Sequence, residues 1–447
     1  MLKTIDELLW GPGTLLLLLG TGMFLHIRLR FLPWRNLGRA LSSALGRTGR
    51  RSGSGISPFS ALMTALAATL GTGNIVGVAT ALVAGGPGAL VWMEVSALLG
   101  MSIILAESTL AVRHRRKNKQ GEWVGGPMYV MEARLGTAGR PMALLFSLFA
   151  ACASLGIGSM TQANAAAGAL ESILSVPPAL TGSILALLAL IIILGGIRSI
   201  SRVSSVLVPV MGVLYVAAGL AVIIGHWDSL PSALAQIVRE AFSFRAAAGG
   251  AAGIAAMRWG IARGIFTNEA GLGSSAIAAA SAETSHPAQQ GYISMTGPFF
   301  DTILMCTITG LAICCSGVLG TADAAGQILD GAALTIAAFE TVLGPVGSTF
   351  VAISIVLFAF STILGWEYLG EKTFEYLSGG RYIRGYRAAF ALAALVGAVI
   401  SLDAVFHFSD ICNALMCLPN LICLLVLSGE AARESEAYER IKARKKL

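Results

Sequence analysis

An all-α polytopic membrane protein with 11 transmembrane helices is the fold class this sequence predicts, on three observations. Apolar residues make up 55% of the 447 positions and charged residues only 12%, with a mean hydropathy of +0.75. Soluble domains carry about 25% charge, so no ordinary soluble fold fits. The apolar positions gather in runs of about 20 residues, the length that crosses a hydrocarbon core roughly 30 Å thick. The basic residues collect in every second connection between those runs, as they do when connections alternate between the two sides of a bilayer.

The first run, Trp10 to Ile27, follows an acidic segment and precedes no small-residue cleavage site, so it reads as a retained helix rather than a signal peptide. Ten core helices follow near 57–84, 88–112, 141–170, 179–197, 203–225, 247–285, 291–318, 346–368, 386–402 and 404–427. Residues 1–56 are therefore an extra helix with a basic loop, and 57–225 carry core helices 1 to 5. Residues 226–246 connect them to core helices 6 to 10 in 247–427, and 428–447 form a charged tail.

Orientation follows from charge. Of the 31 Lys and Arg, 26 lie on one face, in the segments 28–57, 113–140, 198–202, 372–387 and the tail. The opposite face has Lys3, Arg239 and Arg245, and its loop 319–345 holds Asp323, Asp330 and Glu340 with no base. The positive-inside rule places the basic face in the cytoplasm, the N-terminus outside and the C-terminus inside. Net charge is +7, but the basic residues flank apolar spans instead of covering a soluble face, which excludes nucleic acid as a partner. The seven cysteines fall in apolar segments without metal-ligand spacing and read as small buried hydrophobes.

The first core helix, ALAATLGTGNIVGVATAL, carries Gly71, Thr72, Gly73 and Asn74 in its middle. Two glycines cost about 1 kcal/mol each in a helix, and an amide in hydrocarbon needs partners that lipid does not offer. Irregular backbone at membrane depth is tolerated where it is buried in protein or lines a cavity. Close packing of a neighbouring helix on the glycines is the alternative. Five crossings per half make the second half enter the membrane from the opposite side, so an inverted repeat predicts a second break at the start of that half. The sixth core helix meets it, with Gly264, Thr267, Asn268, Glu269, Gly271 and Gly273 interrupting GIAAMRWGIARGIFTNEAGLGSSAIAAA.

Broken helices expose opposite poles. The outer half of core helix 1 begins at its break with free N–H groups, so the amides of Thr72, Gly73 and Asn74 suit a carboxylate. The outer half of core helix 6 ends at its break with free carbonyls near Arg263 to Phe266, which suit an ammonium group. A small amino acid fits both ends. Gln162 offers donor and acceptor or a plain interhelical bond, and Trp366 a wall or an interfacial anchor. Ser361 and Thr362, with the carbonyls of Ala67 and Leu70, are hard neutral oxygens suited to Na⁺, or else hydroxyls bonded to their own preceding turn. Asp301, Arg263, Glu269, Glu94 and Glu107 are intramembrane charges, functional by default, and pairing of Arg263 with one of the acids is as good a reading as proton transfer. No HExxH or GxSxG motif supports an enzyme, and polar residues cluster at the breaks instead of forming the continuous stripe of a channel.

The segments SPFSALMTALAATLGTGNIVGVATAL, GGPGALVWMEVSALLGM, GGPMYVMEARLG, RGIFTNEAGLGSSAIA, FFDTILMCTITGLAI and AFSTILGWEYLGEK resemble the sodium:alanine (or glycine) symporter family, the amino acid carrier proteins, from about Ser57 to Asn420. The resemblance implies a prokaryotic plasma membrane, Na⁺-driven uptake of alanine or glycine, and the broken-helix inverted-repeat fold of the leucine transporter type. It implies substrate contacts at Thr72, Gly73, Asn74, Gln162, Thr362 and Trp366, to which the dipole argument adds Phe266. It implies sodium at Ala67, Leu70, Ser361 and Thr362. A proton-coupled carrier of the same fold, with Asp301 as its titrating carboxylate, is the rival. Two positions depart from the pattern: Glu367 follows Trp366 where an uncharged residue is expected, and Gly168 stands where related pockets carry an aromatic, a smaller wall that would admit a larger side chain.

Overall fold

The computed structural model describes residues 2–46, 55–243, 251–323, 325–401 and 403–444. The start of the expected span at 247, Arg245 and the basic residues Arg47, Arg50, Arg51, Lys445 and Lys446 lie outside them. The chain opens with the amphipathic α1 (Leu2–Leu9) and the apolar α2 (Pro12–Arg28). Arg30 and Phe31, both at positive φ, then turn it into the short α3 (Leu32–Arg35) and α4 (Leu37–Leu45).

The first core helix is broken. Ser57 caps α5 (Pro58–Thr69) by accepting from the Ser60 N–H, and Thr72–Asn74 form one 3-10 turn before α6 (Val76–Gly85). Then come α7 (Ala89–Arg113), a two-stranded ribbon of β1 (Arg116–Lys117) and β2 (Trp123–Val124), and α8 (Pro127–Arg134). Next, α9 (Gly139–Ala153) runs into α10 (Thr161–Leu174) through a π-helical stretch, Ser154–Met160. The half ends with α11 (Pro178–Ile193) and α12 (Gly196–Gly225). The connector holds an amphipathic helix, α13 (Leu230–Ala241).

The second half opens on the other broken helix, α14 (Ala251–Asn268) and α15 (Ser274–Ala280). It continues with α16 (Pro287–Ser294), a π-helical stretch Phe299–Cys306, and α17 (Thr307–Ser316). The acidic loop contains α18 (Gly331–Leu343). The chain closes with α19 (Pro345–Ser378), α20 (Ile383–Val399) and α21 (Asp403–Arg444), which continues through most of the charged tail as one helix.

Among the described residues, seven helical segments are long and apolar enough to cross a membrane. The two halves of the first core helix have 12 and 10 residues; at 1.5 Å per residue each reaches only about half the hydrocarbon thickness. The broken helices are at the centre, where α14 packs along α7 and α6, and α5 lies between α12, α15 and α19. A parallel bridge joins their remote ends, with the Ile56 N–H donating to Ser281 O (3.1 Å) and the Glu283 N–H to Ile56 O (2.8 Å). The start of α5 is thus tied to the end of α15.

Candidate substrate and ion site

The first break is closed by its own asparagine. Asn74 Oδ1 accepts from the Gly71 N–H (3.0 Å), and Nδ2 donates to the carbonyl of Asp301 (2.8 Å). Thr309 Oγ1 donates to the Asn74 carbonyl (2.9 Å), and the residue is fully buried. Asn74 therefore spends its side chain bracing the break against the π-helical stretch, and its backbone N–H already bonds Gly71 O. Of the three expected donors, Thr72 and Gly73 are the ones whose amides are held by nothing stronger than a 3.5 Å contact, Thr72 N–H to Gln162 Oε1.

Gln162 meets the same loop. Its Nε2 donates to Ile157 O (3.1 Å), which orients the amide so that Oε1 accepts from Thr72 Oγ1 (3.1 Å). Gly71 is indispensable here: a Cβ would lie 2.5 Å from Thr362 Oγ1 and 3.4 Å from Gln162 Oε1. A Cβ at Gly73 would lie 3.3 Å from Thr267 Oγ1 and 3.7 Å from the ring of Phe266. The two breaks, α10 and α19 therefore face one another across a few ångströms at Thr72, Gly73, Gln162, Phe266 and Thr362.

Beside that cluster, four neutral oxygens converge. Ser361 Oγ lies 3.4 Å from Ala67 O and 3.2 Å from Leu70 O, and Thr362 Oγ1 lies 3.4 Å from Leu70 O. Ser361 also bonds back to Phe358 O (3.0 Å), whereas Thr362 makes no such bond. A hydroxyl and a carbonyl buried 3.4 Å apart are barely bonded to each other. They sit at the C-terminal, negative end of α5, where a cation is favoured.

The second break begins later than the residues suggest. α14 stays helical through Asn268, and the interruption runs from Glu269 to Gly273, with Glu269, Gly271 and Gly273 at positive φ. The carbonyls left at its end are those after Ile265, because Ile265 O still accepts from the Glu269 N–H. The expectation of free carbonyls from Arg263 onward is thus off by most of a turn, and Arg263 O also accepts from Thr267 Oγ1 (2.8 Å).

Trp366 is 2% exposed, so it anchors no interface. Its Nε1 donates to Glu269 Oε1 (2.9 Å), while Ser274 Oγ donates to Oε2 (2.5 Å). The indole locks the second break to α19, and Gly158 admits it, since a Cβ there would lie 2.3 Å from Trp366 Cβ. Arg263 forms no ion pair among the described residues and stacks on Trp259 and Phe266. It lines, with Phe266, Trp10, Asp6 and Asp410, a cavity of about 460 Å³ that adjoins the site from the side of the N-terminal helix. Asp301 is buried with Oδ1 bonded to Thr302 Oγ1, and the Thr69 hydroxyl is its other polar neighbour. Glu94 accepts from Thr307 (2.8 Å) and Glu107 from Asn420 (3.1 Å).

The departures resolve separately. Gly168 is exposed, and a Cβ there would meet nothing within 4 Å, so it is no wall of this pocket. Glu367 is buried with Oε1 unpartnered. One turn further, Lys372, far from being a loop residue, is buried in α19 and bonded to Glu375 (2.8 Å), with Glu122 and Glu371 at 3.4 and 3.6 Å. Arg387 bonds Glu371 (2.5 Å), so this network fastens the β-ribbon, α19 and α20 at the end remote from the cavity.

The sodium:alanine symporter family model matches residues 1–447. The chain belongs to the sodium:alanine symporter family. Members of the family are transporters, not enzymes, and this one is a multi-pass membrane protein by its apolar helices. It is 46% identical to the sodium/alanine symporter AgcS of Methanococcus maripaludis, over 99% of this chain and 97% of that protein. It is 34% identical to a Bacillus subtilis protein named putative sodium/proton-dependent alanine carrier YrbD, over 98% and 92%. In fold it is similar to the crystal structure of MhsT in complex with L-phenylalanine, with a TM-score of 0.63 and 18% identity over 87% of this chain and 93% of that one. Sequence reasoning about this family member missed the Glu269–Trp366–Ser274 link and both π-helical stretches. The glycine pair at 156 and 158 and Pro298 before Phe299 were the available signals.

Proposed function

We propose that this symporter-family chain couples the entry of a small neutral amino acid, alanine or glycine, to Na⁺ through alternating access of two inverted repeats, 57–225 and 247–427. The observation that carries the reading is the meeting of four elements at one point: the two helix breaks, Gln162 and the Ser361–Thr362 pair. The amides of Thr72 and Gly73, near the positive start of α6, receive the substrate carboxylate, with Gln162 and Thr362 beside it. The carbonyls at the negative end of α14, next to Phe266, receive the ammonium group. Phe266 and Trp366 bound the space for the side chain, and Asn74 holds the loop in shape.

Sodium takes the place between α5 and α19. Oxygen ligands held about 2.4 Å from a cation of this size, at right angles to one another, lie roughly 3.4 Å apart. Ser361 Oγ lies 3.4 Å from Ala67 O and 3.2 Å from Leu70 O, and Thr362 Oγ1 lies 3.4 Å from Leu70 O, separations that suit an ion shared among the four oxygens. Because Leu70 precedes the substrate-binding turn directly, ion binding orders the loop that the amino acid needs, which couples the two.

Eleven crossings support the repeat. Beyond the seven long helices, the two broken pairs, α11 and α20 make up the number. The ends that carry Arg28–Arg39, Lys372 and Arg440 share one side, read as cytoplasmic in a prokaryotic plasma membrane, with the N-terminus outside and the C-terminus inside. Uptake of labelled alanine into proteoliposomes, under an imposed Na⁺ gradient or an imposed pH gradient, tests the proposal. Accumulation with Na⁺ alone, competed by glycine, is expected. A specific observation favours the rival: Asp301 is a fully buried carboxyl beside the first break with no cationic partner among the described residues. Accumulation that needs no Na⁺ and follows the pH gradient transfers coupling to that carboxylate.

A further inference from the structure

At the arginine-rich end of the molecule, well away from the transport site, the chain builds a second pocket. The consecutive left-handed residues Arg30 and Phe31 fold α3 and α4 back beneath α2, and the last turns of α21 close the other side. The result is a cavity of about 370 Å³ to which Arg28, Arg30, Arg35, Arg39 and Arg440 contribute. Among the described residues that line it, Glu436 and Glu439 are the acids that oppose these five cations, and they do so loosely. Arg30 lies 3.6 Å and Arg440 3.9 Å from Glu436, and Arg39 lies 3.8 Å from Glu439. Arg28 and Arg35 have no acidic partner among the described residues. Arg39 also donates to Asn36 Oδ1 (3.2 Å), but the pocket holds an excess of three positive charges, with the forks of Arg28 and Arg35 free of acids among the described residues, the geometry that takes a phosphate in bidentate fashion.

A second, independent feature says where that phosphate comes from. Leu16, Met23, Phe24 and Ile27 form one exposed apolar stripe down α2, at 69, 48, 44 and 59% exposure, and the stripe runs to the mouth of the pocket. Beside that stripe Phe31 and Trp34, half exposed, pack edge-on against His26 near the end of α2, the residue types found where hydrocarbon meets headgroups. A free anion would use the arginines and ignore the stripe. A phospholipid uses both, with its headgroup among the guanidinium groups and its acyl chains along α2.

We propose that this pocket is a binding site for the phosphate headgroup of an anionic phospholipid, which links α2, the interfacial α3–α4 segment and the end of α21. A zwitterionic lipid brings the same phosphate but no net charge to meet the excess, so the site selects anionic lipid.

The test is thermal unfolding of the purified, delipidated full-length protein, in detergent and potassium buffer, titrated with dioleoyl phosphatidylglycerol. Dioleoyl phosphatidylcholine and inorganic phosphate serve as the comparison arms. Phosphatidylglycerol should raise the midpoint while the other two leave it unmoved. Arg28→Gln with Arg35→Gln should raise the lipid concentration needed by about fivefold per arginine, roughly 25-fold for the pair. Glu436→Gln frees Arg30 and Arg440 and should lower it, so the proposal is also tested by a gain should the double variant fail to fold. Equal shifts from the two lipids, or a shift from inorganic phosphate matching that of phosphatidylglycerol, would overturn it. So would a double variant that keeps the full response.

Discussion

Replacing Thr362 by Val keeps the shape of the side chain and removes one hydroxyl from the proposed ion site. Thr362 Oγ1 has Leu70 O at 3.4 Å and no bond to its own preceding turn, so the deletion removes one long, weak hydrogen bond and nothing else. The loss falls on the cation. A neutral oxygen's interaction with a charged group is worth about 1.5–3 kcal/mol, and each 1.4 kcal/mol is tenfold in affinity. The Na⁺ concentration for half-maximal effect should therefore rise roughly 10- to 100-fold. Because Thr362 also borders the substrate cluster, uptake alone would confound the two roles. Na⁺-dependent thermal stabilisation, measured without amino acid and with choline replacing Na⁺, isolates the ion, since a ligand that binds only the folded protein stabilises it by an amount set by the logarithm of its concentration over its Kd. A Thr362→Val protein that folds and shows the parent's Na⁺ dependence would refute the ion site.

Gly71→Ala would place a Cβ 2.5 Å from Thr362 Oγ1; uptake should fall to background while the protein still inserts, as judged by its yield and gel-filtration profile. Trp366→Phe and Glu269→Gln should each destabilise, and a double-mutant cycle in thermal unfolding should return a coupling of about 1–3 kcal/mol; strictly additive effects would dissolve the link. Lys372→Met removes a buried cation from beside Glu375, while Glu371 keeps Arg387 and Glu122 is partly exposed; it should cost about 3 kcal/mol of stability by leaving the mostly buried Glu375 without its counter-charge. An unchanged unfolding midpoint would show that Arg387 suffices for the cluster.

Much of this was legible because the membrane makes sequence speak plainly. Glycines and an amide inside an apolar run admit few explanations, and the matching interruption in the second half removed most of those. The meeting of Leu70 and Ala67 with Ser361 and Thr362 followed from residue type and the resemblance. What did not follow were contacts set by where side chains point. Asn74 reads as a substrate ligand by position, but its two amide atoms are taken by Gly71 and Asp301. Trp366 reads as a pocket wall or as an anchor at the end of a span, and the second reading falls because α19 continues as helix to Ser378 and leaves the indole deep inside. The resemblance implies a pocket wall at Gly168, but six residues past Gln162 is about one and two-thirds turns of helix, on a different face, and the position meets open space. The second break was displaced because Glu269, a residue without glycine's freedom, occupies the left-handed region at its start.

Equilibrium binding of tritiated alanine to the purified protein, in Na⁺ and in K⁺ at one fixed pH, tests the central claim most directly. The claim predicts saturable binding in Na⁺ that is competed by glycine, is absent in K⁺, and is abolished by Gly71→Ala. Alanine binding of equal strength in K⁺, or binding that survives Gly71→Ala, would contradict it.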